Sequence, residues 1–142
     1  MITIETSNRS GAEVAETDAA ALARRVLASE GVADGELGIT FVSPEEIRAL
    51  KQEHLGIEEV TDVLSFPLDA REELPAGVPR ALGDVVLCPQ VVGDGWRGPL
   101  VHGLLHLLGY DHETDNGTMA RVEARLRRKG GLPAGLIERG PR

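Results

Sequence analysis

HGLLHLLGYDH, residues 102–112, carries three of the chain's four histidines. Positions four apart lie one above the other on a helix, so His102 and His106 share a face. Leu104, Leu105, Leu107 and Leu108 fill the remaining faces, and a helix apolar nearly all round belongs in a core. Gly109 can take the positive φ that ends a helix, and the break swings His112 back toward the first two rings. Three neutral imidazoles converging on one point, with no fourth protein donor close by, make the pattern of a catalytic zinc site with an open position. The expected metal ligands are His102, His106 and His112, holding one zinc ion per chain.

Gly103 occupies the position where an HExxH protease has its general base. Glycine takes no proton, so peptide hydrolysis by that route is disfavoured, although the His-x3-His-x5-His spacing is like that of metzincin proteases. A glycine there is also expected to bare backbone beside the ion and leave room for a bulky substrate. Asp111, next to the third histidine, is the candidate catalytic residue, orienting a histidine or the water on the metal; it could equally just shape the turn. Tyr110 reads as packing with a tethered hydroxyl.

Working outward, LGDVVLCP (82–89) and TDVLSFP (61–67) are short apolar strands ended by Pro89 and Pro67. Leu37, Ile39 and Phe41 alternate into another strand, and Ile2 and Ile4 into a fourth. A helix is expected over about 11–29, with Val14, Leu22 and Val26 inward and Gly31 at its end. Ser43, Pro44 and Glu46 spell a capping box for a second helix, buried through Ile47, Leu50 and Leu55. Gly98–Pro99 opens the histidine helix. A last helix is expected over about 115–129, with Met119, Val122 and Leu126 inward. Strands and helices without strict alternation give an α+β domain, a small sheet of about four strands covered by helices, in one domain spanning 1–142. Strand order is not readable from these signals.

A single cysteine, Cys88, rules out an intrachain disulfide and suits a reducing cytoplasm. The stretch MITIETSNRSG does not read as a signal peptide, no segment is long enough to span a bilayer, and a cytoplasmic location without a membrane partner is expected. The net charge of −8 keeps an acidic chain away from nucleic acid unless basic residues segregate. Arg121, Arg125 and Arg128 share one helical face, which could meet RNA or a protein or could simply be solvated.

Together, TDVLSFP, LGDVVLCP and HGLLHLLGYDH, in this order along the chain, resemble the recurrent segments of the YbeY family of endoribonucleases, the rRNA maturation factors. The resemblance implies a small mixed sheet flanked by helices, with the metal on a helix and the turn after it. It implies a zinc ion on His102, His106 and His112. It implies cleavage of single-stranded ribosomal RNA in 16S rRNA 3′-end maturation and ribosome quality control. The implied partners are small-subunit ribosomal proteins and a ribosome-assembly GTPase.

Two departures stand out. A tyrosine–arginine pair common in the family falls here on His54 and Leu55, so its cation is missing, with His54 a partial substitute. The segment PQVVGDGWRGP (89–99) is short where a longer helical run is expected; in it, Trp96 and Arg97 could touch substrate, or Trp96 could plug the core edge. Asp84, after Gly83, could hold a histidine, or the pair could mark a bulge or close backbone approach.

The chemistry expected is metal-assisted phosphodiester hydrolysis, with activated water or the RNA's own 2′-hydroxyl as nucleophile. Two other readings remain open: a zinc metalloprotease-like hydrolase, and a non-catalytic ribosome-assembly factor whose metal is structural.

Overall fold

The structure, a computed structural model, describes residues 1–69 and 73–110. Four strands, β1 (Ile2–Asn8), β2 (Gly35–Phe41), β3 (Val63–Pro67) and β4 (Ala81–Leu87), form one sheet in the order β1-β2-β4-β3. β1, β2 and β4 run parallel, and β3 pairs antiparallel on the β4 edge. Among the described residues, four helices, α1 (Glu16–Ser29), α2 (Pro44–Leu55), α3 (Pro89–Val92) and α4 (Arg97–Leu107), flank it in an α+β arrangement.

Alternation along β2 explains the layering. Leu37, Ile39 and Phe41 point to one face and are buried there with Ala19, Leu22, Val26 and Leu27 of α1 and Leu100, Leu104, Leu105 and Leu107 of α4. Each such leucine taken out of water stabilises the fold by about 1.5–3 kcal/mol. On the opposite face a smaller cluster joins Ile47 of α2 to Val42, Leu64, Val86 and Cys88. Cys88 is thus the buried apolar residue its position before Pro89 suggests.

Several boundaries move for local reasons. The helix expected from about residue 11 begins at Glu16, because Asn8 holds the preceding stretch as a loop: its side chain donates to the Ala12 carbonyl at 2.7 Å and accepts from the Ser10 amide at 3.0 Å. Gly31 does end α1, with φ +76. Ser43 caps α2, accepting from the Glu46 amide at 3.2 Å, but the Glu46 carboxylate pairs with Arg9, so the cap is one-sided. Leu55 is a correction: it is 54% exposed at the end of α2 instead of buried. The α2 stripe closes with Leu50, and Gly56 turns the chain away at φ +72.

The 89–99 segment is indeed short, one turn of α3 and a 3-10 turn at Gly93–Gly95. α4 starts at Arg97, ahead of Gly98–Pro99; Pro99 falls in the first turn, where a missing N–H costs no helical bond. No helix among the described residues is long and apolar enough to cross a membrane. The helix expected over 115–129, with its arginine face, lies outside the described residues.

Candidate metal centre

α4 is held against the sheet on one side and α1 on another, so its side chains are fixed by packing. Gly103 sets the approach to the sheet. A Cβ there would stand 3.0 Å from Cγ1 of Val85 and 3.3 Å from Cγ2 of Val63. This corrects the expectation that Gly103 bares backbone beside the ion: the space it leaves is filled by β3 and β4. One turn on, Leu107 lies over Gly83, where β4 carries a bulge against β2 and φ is +129.

His102 and His106 lie on an adjacent stripe of the same helix. His102 is buried and His106 half-buried. Their Nε2 atoms are 3.1 Å apart and their rings meet edge to face, with centroids 4.7 Å apart. Past the helix end, Gly109 turns at φ +97 and brings the Tyr110 carbonyl to 3.0 Å from His106 Nδ1. A carbonyl only accepts, so Nδ1 carries the proton and Nε2 is left with its lone pair. The Tyr110 hydroxyl donates to Glu30 at 2.7 Å, tying this turn to the end of α1.

These features fit a divalent cation. Two imidazole nitrogens on a tetrahedral zinc, each bonded at about 2.0–2.1 Å, stand about 3.3 Å apart, close to the spacing of the two Nε2 atoms. The Nδ1–H to carbonyl bond is the outer contact that fixes a ligating histidine's ring and tautomer. Among the described residues no third histidine, cysteine or carboxylate joins the pair. His112 and Asp111, the expected third ligand and catalytic residue, lie outside the described residues.

Other candidates go elsewhere. Asp84 is exposed on the sheet face opposite α4, beside Gly38 and a cavity lined also by Thr3, Glu5 and Glu36, so it does not hold a histidine. The bulge and close approach at Gly83 account for that dipeptide. His54 is exposed, its ring set edge-on to Phe66 at 4.9 Å. Trp96 packs on the core edge and Arg97 stacks over its indole at 4.5 Å. The roles of the Tyr110 carbonyl and of Glu30 escaped the sequence reading; only the glycine break hinted that the turn after α4 folds back onto His106.

A four-stranded α+β domain with a close imidazole pair at the end of a core helix is the class that fold and site define. Within it, the family model described as Endoribonuclease YbeY matches residues 3–129. The Endoribonuclease YbeY of Anaeromyxobacter sp. (strain Fw109-5) is 45% identical over a 147-residue alignment, covering 94% of this chain and 72% of its own. That of Halorhodospira halophila is 44% identical over 105 residues, 66% of this chain and 68% of its own. The solution structure of TM1509 from Thermotoga maritima matches with a TM-score of 0.55 at 25% identity, over 92% of this chain and 90% of that one. The chain belongs to the YbeY family.

Proposed function

We propose that the protein is a zinc-dependent, single-strand-specific endoribonuclease of the cytoplasm, acting at the 3′ end of 16S rRNA and in ribosome quality control. His102, His106 and His112 would hold one zinc ion, and Asp111 would serve the reaction beside them. Family membership supports the nuclease activity, and the names of the relatives are those of endoribonucleases. The observation that carries the metal reading is the pair of Nε2 atoms 3.1 Å apart with the His106 tautomer fixed by Tyr110.

When bound, zinc supplies a Lewis acid for a phosphoryl oxygen and lowers the pKa of water to about 7. The chain's own part is positional. Burial of α4 keeps the two rings from rotating away, and the Tyr110 turn keeps the His106 Nε2 lone pair directed outward. Gly103, packed on Val85 and Val63, leaves no place for the glutamate of an HExxH protease, which speaks against peptide hydrolysis. The acidity of the chain favours action on RNA presented by ribosomal proteins and an assembly GTPase over tight binding of free RNA.

The test pairs metal analysis with cleavage of single-stranded and duplex ribosomal RNA, for wild type and His112→Ala. About one zinc per chain, cleavage confined to single strands, and loss of both in a variant that still melts cooperatively are the expected results. Undiminished cleavage by His112→Ala, or by a chelated enzyme with no bound metal, would overturn the proposal.

A further inference from the structure

The short 89–99 segment builds a cavity that the metal site does not use. Trp96 forms one wall, with Phe41, Val14 and Val92 as apolar neighbours and the carboxylates of Glu13 and Asp94 at its mouth; its volume is about 240 Å3. Phe41 ends β2 and α3 follows β4, so the cavity lies at the carboxyl ends of the parallel strands, where open α/β sheets place their ligands. His106 is ten residues further along α4, about 15 Å at 1.5 Å per residue, near the other end of the sheet. The cavity is therefore separate from the metal centre.

Its chemistry selects an occupant. Glu13 and Asp94 are exposed, and neither forms an ion pair among the described residues. Two such carboxylates at the mouth, on a chain of net charge −8, repel a phosphodiester strand. The indole already stacks with a guanidinium, that of Arg97. Apolar walls accept the aliphatic stem of a long cationic side chain while carboxylates take its head.

We propose that this cavity docks an arginine or lysine side chain from a basic segment of a partner protein. The stem lies against Val14, Val92 and the Trp96 ring, and the charged head meets Glu13 and Asp94. Trp96 is the only tryptophan in the chain, so its emission reports on the cavity directly.

The test titrates the full chain with a capped hexa-arginine peptide and with hexauridylate, following Trp96 fluorescence. Two double variants are compared: Glu13→Gln with Asp94→Asn, and Glu58→Gln with Glu59→Gln, which removes the same charge from the exposed loop after α2. A saturable change with hexa-arginine, weakened about tenfold by the first pair and unchanged by the second, is the expected result. Equal weakening by both pairs would reduce the effect to overall charge and overturn the proposal. So would an unresponsive Trp96, or a response to hexauridylate in place of the peptide. None of these readouts depends on RNA cleavage, so this proposal and the nuclease reading stand or fall separately.

Discussion

Gly103 of α4 and Val85 of β4 approach so closely that a single methyl group on the glycine would stand 3.0 Å from the valine's Cγ1. The helix that carries the histidines is held at this distance from the sheet because only the Val85 and Val63 side chains stand between the glycine and the strands. Restoring the protease-like glutamate therefore puts a carboxylate into the core. Gly103→Glu is expected to unfold the protein or cost more than about 4 kcal/mol, without creating peptidase activity. Gly103→Ala, offset by better helix propensity, should cost about 1–2 kcal/mol. Urea denaturation measures both; a stable Gly103→Glu variant that cleaves peptides would refute the assignment.

Gly83 and Gly38 both leave little room for a Cβ, but for different reasons. At Gly83 the obstacle is the backbone carbonyl of Phe66 and φ is +129; at Gly38 it is the end of the exposed Asp84 side chain. A carbonyl fixed in a sheet cannot move aside, while a surface carboxylate can rotate. Gly83→Ala should cost at least about 3 kcal/mol and Gly38→Ala less than about 1 kcal/mol. Similar losses from thermal melts of the two variants would contradict this.

Tyr110→Phe removes the hydroxyl that Glu30 accepts, in a half-buried contact joining α1 to the turn after α4. A loss of about 1 kcal/mol is expected. Glu30→Gln, which keeps an acceptor, should lose less. Double-mutant analysis of Tyr110→Phe with Glu30→Ala, which removes the acceptor, should return a coupling near the single Tyr110→Phe loss, and additive effects would show that the bond carries no stability.

Cys88 is fully buried, and burial pushes its thiol pKa above the usual range. Raising pH past about 8.5 takes the proton from the unfolded thiol first, so the unfolded state gains and stability falls with pH over that window. Below it the folded and unfolded thiols are both protonated and the contribution is constant. Cys88→Ala should be flatter above pH 8.5 in urea titrations than the wild type. A thiol reagent at pH 8 should label the wild type only as it unfolds; rapid labelling of the folded protein would show that the side chain is accessible.

The alternation of Leu37, Ile39 and Phe41, the cap at Ser43–Pro44 and the leucines of 104–108 made the elements legible, because each is a local pattern read against one period. His102 and His106 were legible as a pair for the same reason: four residues on a helix bring two side chains onto one face. Leu55 failed as a core residue because a helical stripe says which side is apolar but not where its partner ends. Asp84 failed as a support for the histidines because the faces of a sheet are assigned only when the helices covering them are known.

The sequence by itself determined the four strands, the helices α1, α2 and α4 within about five residues, and the two imidazoles that can share an ion, since spacing along one helix needs no other part of the chain. Only the tertiary structure decided the order β1-β2-β4-β3, the contact of Gly103 with the sheet and the pairing of Tyr110 with Glu30. Those depend on residues far apart in the chain meeting at fixed distances. Strand pairing and packing are settled by the whole core closing at once, and no local period encodes that.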